Sequence, residues 1–213
     1  MDLADQPYAH LLEPHPGPLR ADQRYDTVRF DDLELDAPQA DGASFLECAL
    51  VGLTINQGRL RRAMFTECWV ERNRWVATDL AETEWQDCTV AGSLLAGVAV
   101  HGAQLRRLTL RQCKLEAVNL RAAVLRDVVF EDCQLRDVDF AEARLTGVSF
   151  PGSSLEEVRF GRAKLSGTDL RGATRLELPD GHEGLRGALI SSGQLIELAP
   201  QFAKALGVEV RDA

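Results

Sequence analysis

Five cysteines, four histidines and a set of carboxylates are the side chains of this 213-residue sequence with chemistry to offer. Closely spaced thiols and imidazoles hold metals, and a thiol or hydroxyl beside a histidine makes a nucleophile. Cys48, Cys68, Cys88, Cys113 and Cys133 are odd in number and lack C-x-x-C spacing, which argues against a disulfide framework or a zinc knuckle. His10, His15, His101 and His182 are too scattered to form a ligand set. Asn73, Thr78, Thr83, Ser93, Ser153 and Thr168 recur at a shared spacing, yet no histidine recurs beside them. The sequence has no phosphate-binding loop, no G-x-S-x-G elbow and no H-E-x-x-H. The expectation is a non-enzyme with no cofactor and no metal.

The carboxylates have a pattern of their own. Glu47, Glu67, Asp87 and Asp127 share one register modulo 20, interrupted by Arg107, while Asp31, Glu71 and Glu131 share another, interrupted by Arg111. If 20 residues make one structural repeat, each set becomes a column of like charge, whose repulsion water and salt only partly screen. The columns are either an interaction edge or an ordinary solvated surface. Residues 28–173 hold 22 acids and 18 bases, so the acid excess lies largely in the flanks.

The element that carries these residues follows from a five-residue period. From Phe30 to Leu170 every residue numbered by a multiple of five is large and apolar, except Ala40. Phe45, Phe65, Trp85, Leu105, Leu120, Phe130, Phe140, Phe150 and Phe160 belong to this series. Two residues before most of them stands a small or compact side chain, and all five cysteines occupy that position. Inward positions therefore alternate in steps of two and three. A step of two keeps side chains on one face of an extended segment, and a step of three needs a corner that turns the next segment inward. Helices need steps of three and four, and flat strands need strict alternation, so the chain must coil as a β-solenoid. Cys48, Cys68 and Cys88 are 20 apart, as are Phe45, Phe65 and Trp85, which makes a coil four sides of five residues. The cysteines are expected to be buried, reduced packing residues, because stacked Cβ atoms about 4.8 Å apart exceed disulfide spacing. The polar residues at the same position need backbone hydrogen bonds to offset a burial cost of roughly 1–3 kcal/mol.

Ala117-Val118-Asn119-Leu120-Arg121, Val138-Asp139-Phe140-Ala141-Glu142 and Thr168-Asp169-Leu170-Arg171-Gly172 are clear copies of one motif. In this the chain resembles the pentapeptide-repeat proteins over about two-thirds of its length. The resemblance implies an all-β fold, a right-handed quadrilateral β-helix, here with a small C-terminal helical cap. At about 4.8 Å per coil the rod is roughly 35 Å long, one turn of B-DNA. The resemblance extends to the quinolone-resistance and gyrase-protecting members, which imitate DNA. It implies a protein partner, DNA gyrase or another topoisomerase, met by Glu47, Glu67, Asp87, Asp127, Glu71 and Glu131. The alternative is a scaffold for an unrelated complex. No inserted loop of the kind some gyrase-protecting members need interrupts the register between Phe30 and Leu170.

The expected organisation is an N-terminal arm or cap at 1–26, the β-helix at 27–174, a connection and terminal partial coil at 175–190, and a helical segment at 191–213. In the arm, Tyr8, Leu11, Leu12 and Leu19 either fold over the first coil or stay mobile. Ser191 and Gln194 form a capping box for a helix that Pro200 should break or restart, with Val208-Glu209-Val210 a short strand. The resemblance assigns this segment to a homodimer through Leu195, Leu198, Phe202, Leu206, Val208 and Val210; the other reading is a cap on a monomer. Trp69 points outward, either as a partner contact or packed beneath a neighbour.

A formal net charge of -9 disfavours nucleic acid and anionic membranes as partners. There is no run of 18 apolar residues and no secretory signal at the start, so a cytoplasmic location is expected.

Overall fold

The computed structural model describes residues 2–179 and 182–211. The chain winds into about eight coils of a parallel β-solenoid and ends in one helix. Twenty residues complete a coil, so each strand pairs in parallel with the strand one coil on: Phe45 with Phe65, Trp75 with Leu95, Leu110 with Phe130. Three sides of the square carry continuous ladders. The fourth is held by single bridges from Gln39 through Arg59, Asp79, Ala99, Asn119 and Asp139 to Arg159.

The corners explain the step of three. Every fifth residue from Asp22 to Gly167 has a left-handed backbone, with φ between +45° and +69°. That conformation turns the chain and aims the next segment at the axis. Most of these residues are not glycine, and each of those costs about 1 kcal/mol. The cost is offset by the ladder itself, since the corner amides also bond between coils: Glu67 N donates to Gln86 O at 2.9 Å.

The rungs fill the interior, each burying about 2 kcal/mol of apolar side chain. Tyr25, Phe45, Phe65 and Trp85 stack down the first side, with centroids 4.9, 4.7 and 3.9 Å apart. Phe130 on Phe150 and Phe140 on Phe160 stack at 4.9 and 5.3 Å, and the two columns meet edge to face. Between the two aromatic blocks the rungs are Val90, Val100, Leu105, Leu110 and their neighbours, and a wholly apolar cavity of about 50 Å³ is left. Leu35 and Leu95 are the rungs only partly buried.

Polar interior positions bond to backbone. Each cysteine Sγ donates to carbonyls, as from Cys68 to Phe45 O at 3.4 Å, and all five are free thiols. Asn73 Oδ1 accepts from Leu53 N at 2.6 Å, and Ser153 Oγ accepts from Cys133 N at 2.9 Å. Thr168 is the exception, its hydroxyl buried without a partner.

The ends depart from the sequence expectation in four ways. The ladder starts at Arg24–Asp26, inside the stretch assigned to the arm, with Tyr25 as the first rung. His15 closes that end, packed edge-on against Tyr25 and Phe30 at 5.3 and 5.0 Å, and Glu13–Pro14 pairs with Val28 and Arg29. Second, the register slips by one residue after Leu170, so that Leu155 pairs with Leu176. Third, the helix α1, Ser192–Ala205, runs through Pro200. The proline removes the donor for the Ile196 carbonyl on an exposed side of the helix, where water can replace it. Fourth, Val208–Val210 forms no strand. Among the described residues no helix is long and apolar enough to cross a membrane.

Candidate protein-interaction surface

The outer surface is a lattice whose rows repeat every coil, so the residues spaced by 20 in sequence stand one above another. Glu47, Glu67, Asp87, Arg107 and Asp127 occupy successive left-handed corners between the first and second sides. Glu71, Arg111 and Glu131 stand on the second side, in register through Ala91. Both columns exist in space as the spacing requires.

Their charge is not uniform. Arg107 embraces Asp87 through two bonds, one of them Nη2 to Oδ2 at 2.7 Å, and holds its carboxyl below the usual range. Arg111 Nε meets Glu131 at 2.6 Å. Glu71 accepts from Trp69 Nε1 at 3.0 Å and pairs with Arg72 at 3.2 Å. Asp31 is paired to Arg29 at 2.7 Å. Glu47, Glu67 and Asp127 have no ion-pair partner among the described residues. The bases that interrupt the columns in sequence therefore close two of the seven carboxylates in space, Asp87 and Glu131, and the free acid is concentrated on one edge.

The arm lies along this region. Its two short 3-10 turns, Leu3–Asp5 and Ala9–Leu11, run outside the second side, where a groove is lined by Leu3, Ala9 and Leu12 opposite Val51, Glu71 and Arg72. Tyr8 is buried, and burial raises its phenol above the ordinary range. Leu19 is buried as well, whereas Leu11 is exposed. Trp69 is 2% exposed with its indole nitrogen satisfied by Glu71, so it is a packing residue and not a free contact. The outward apolar positions Ala49, Val51 and Trp69 form a buried strip on the second side. Their placement was the signal in sequence: three apolar residues in positions where most other coils present polar ones.

The helix α1 divides the residues expected at a dimer contact. Gln194 completes the capping box with Ser191 and donates to Leu170 O at 2.7 Å, tying the helix to the last coil. Leu198 is buried and Phe202 packs against the core, so these two belong to the cap within the chain. Leu195, Leu206, Val208 and Val210 are exposed. Ile196, not among the expected contacts, is 74% exposed beside them.

Burial and the neighbouring thiols push Cys68 well up, and the bond to Cys113 together with burial does the same to Cys133, while the bonds with these partners lower Cys48 and Cys113. No cluster of three or more His, Cys, Asp or Glu with metal-binding geometry occurs among the described residues.

Comparison with known proteins agrees with this geometry. Residues 83–160 match the family model of the pentapeptide repeat region. No curated protein matches the chain. Among solved structures the chain is similar to a trypsin-treated form of QnrB1, a plasmid-mediated fluoroquinolone resistance protein. The identity is 16%, the match covers 94% of this chain and 96% of that one, and the TM-score is 0.57. It is also similar to a pentapeptide repeat protein from the thylakoid lumen of Arabidopsis thaliana, at 22% identity over 50% of this chain and 74% of that one, with a TM-score of 0.42. In its repeat, its coil and its corner geometry, this chain is similar to the pentapeptide-repeat proteins, whose repeat region it matches over residues 83–160, and it folds as a right-handed quadrilateral β-helix.

Proposed function

We propose that this protein is a non-enzymatic, cytoplasmic interaction module whose acidic edge occupies the DNA-binding surface of a type II topoisomerase, with DNA gyrase the partner. The observation that carries the reading is the unpaired set Glu47, Glu67 and Asp127, held on a fixed lattice of about 4.8 Å per coil. Carboxylates so placed offer a DNA-binding protein anions in a row without the flexibility of a disordered acidic tail. A likeness in fold to a fluoroquinolone resistance protein supports the choice of partner. The module works as a homodimer through Leu195, Ile196, Leu206, Val208 and Val210, whose exposed apolar surface lies together at the C-terminal end. In the dimer Val208–Val210, which is no strand in the single chain, pairs with its copy.

A second reading has its own observation. Arg107 and Arg111 neutralise Asp87 and Glu131, which suits a scaffold with a mixed surface better than a phosphate imitator. Gyrase supercoiling assays separate the two. An imitator inhibits supercoiling, or restores it in the presence of a fluoroquinolone, in proportion to its concentration; a scaffold for another complex does neither. Light scattering tests the dimer independently: Ile196→Asp with Leu206→Asp gives the monomer mass if the helix face is the contact.

A further inference from the structure

The five thiols stand in two interior columns. Cys48, Cys68 and Cys88 follow one another coil by coil behind the second side, and Cys113 and Cys133 do so behind the third, which carries Leu115 and Leu135. All five are free and at most 2% exposed. They share one pose. Each Sγ lies 3.4 or 3.5 Å from the carbonyl 23 residues earlier, as from Cys48 to Tyr25 and from Cys133 to Leu110. Each also lies 3.2–3.4 Å from the carbonyl two residues earlier. Equal poses on a lattice differ by the lattice step alone, so neighbouring sulfurs stand about 4.8 Å apart with parallel Cβ–Sγ bonds. Apolar Val28 and Leu108 flank the first column. Ser93 and Ser153 flank the second, and both hydroxyls are already engaged, accepting from Asn73 N and Cys133 N and donating to Ala91 O and Phe130 O.

We infer that each column binds one mercuric ion, Hg(II), held in a line between two sulfurs of adjacent coils. A soft ion bonds thiolate sulfur at about 2.4 Å, and two such bonds in a line span about 4.8 Å, the coil step. The step that is too wide for a disulfide is thus the width of S–Hg–S. Binding breaks two S–H bonds, forms two S–Hg bonds and releases two protons to solvent, with no oxidant or reductant. Charge selects the ion. Hg(II) with two thiolates is neutral, whereas Cu(I) or Ag(I) would leave a net negative charge among apolar rungs, where an unpaired charge is costly. Ligand number excludes zinc, which takes four, since no group of three or more metal-binding side chains occurs among the described residues. Cys68 belongs to both possible pairs of its column, so that column takes one ion and the chain takes two. The sulfurs are closed to solvent, so uptake waits on local opening of the coils and is slow.

Native mass spectrometry of the full chain, incubated with excess mercuric acetate and cleared of loose metal by gel filtration, tests the inference. The expected result is two ions per chain, each replacing two protons, with X-ray absorption showing two sulfurs at about 2.4 Å and no other ligand. Cys113→Ser should leave one ion. Cys68→Ser should also leave one, because Cys48 and Cys88 alone are about 9.6 Å apart. Cys48→Ser and Cys88→Ser should each keep both ions, since Cys68 still has a neighbour one coil away. That asymmetry separates a linear site from general mercuration of thiols. One ion per cysteine, or uptake only by the denatured chain, overturns the inference. So does a Cys48→Ser variant that melts like the parent yet loses an ion. A third ligand in the absorption spectrum of the parent overturns it whether or not the variants fold.

Discussion

Asp87 and Arg107 stand one coil apart at the same corner and are joined by two hydrogen bonds, Nε to Oδ1 and Nη2 to Oδ2. The pair divides the acidic edge into Glu47 and Glu67 on one side and Asp127 on the other. Arg107→Gln frees Asp87 and makes the edge continuous. Binding to an electropositive partner should then tighten several-fold and depend more steeply on salt, while stability changes by less than about 1 kcal/mol, since exposed pairs contribute little. Calorimetric titration at two salt concentrations, with a melting curve, checks both parts.

The same pair, with Asp169 and Arg171, sets an acid limit on stability. Both carboxyls are held below the ordinary range by their arginines. A folded value below the unfolded one means the contribution is full above about pH 4 and is lost as pH falls through the folded value. Asp87→Asn should flatten the fall in melting temperature below pH 4, by a small amount because the carboxyl is partly exposed.

At the alkaline end the tyrosines govern. Burial raises both Tyr8 and Tyr25, the two tyrosines of the chain. With folded values above the unfolded one, their contribution is complete below about pH 10 and is lost as pH rises through the folded values. Absorbance at 295 nm should show no tyrosinate in the native protein at a pH where the denatured chain is half ionised. Normal ionisation of one tyrosine would mean that Tyr8 and the arm do not stay packed.

Corner strain can be relieved one residue at a time. Ala77 and Ala117 have φ of +48° and +52°, and Ala→Gly at either should raise stability by about 0.5–1 kcal/mol. Gly152→Ala should do the reverse, because an added Cβ lies 2.1 Å from Asp132 Oδ1 at φ +67°. Urea denaturation midpoints measure each change.

The interior permits a paired test of packing. Phe65→Ala removes the middle of the aromatic stack and should cost about 3–5 kcal/mol. Val100→Leu, directed into the 50 Å³ cavity, should be neutral or stabilising by up to about 1 kcal/mol.

The rungs were legible because each coil repeats the same inward demand on five residues, so the fold was encoded many times over. The columns were legible for the same reason, as register alone places Glu67 above Glu47. What register does not carry is the reach of a side chain, and so the closure of Asp87 by Arg107 and of Glu131 by Arg111 had to be seen in space. Tyr25 was missed as a rung because the residue five before it is Arg20, with Leu19 taking the inward place. The return of the ladder at Leu176 was hidden by a one-residue slip. The arm over Val51 and Trp69 is a long-range contact with no periodicity of its own. At the C-terminal end, amphipathicity marked α1 but not which apolar residues face inward, and Leu198 and Phe202 went to the cap.

The most direct measurement is inhibition of gyrase supercoiling by the purified protein and by its Glu47→Gln, Glu67→Gln, Asp127→Asn variant. The expected result is dose-dependent inhibition by the parent, relieved by excess DNA, and at least a tenfold loss of potency in a variant that melts at the same temperature. Equal potency in the two proteins, or no effect of the folded parent in large molar excess over gyrase, contradicts an acidic edge that takes the place of DNA.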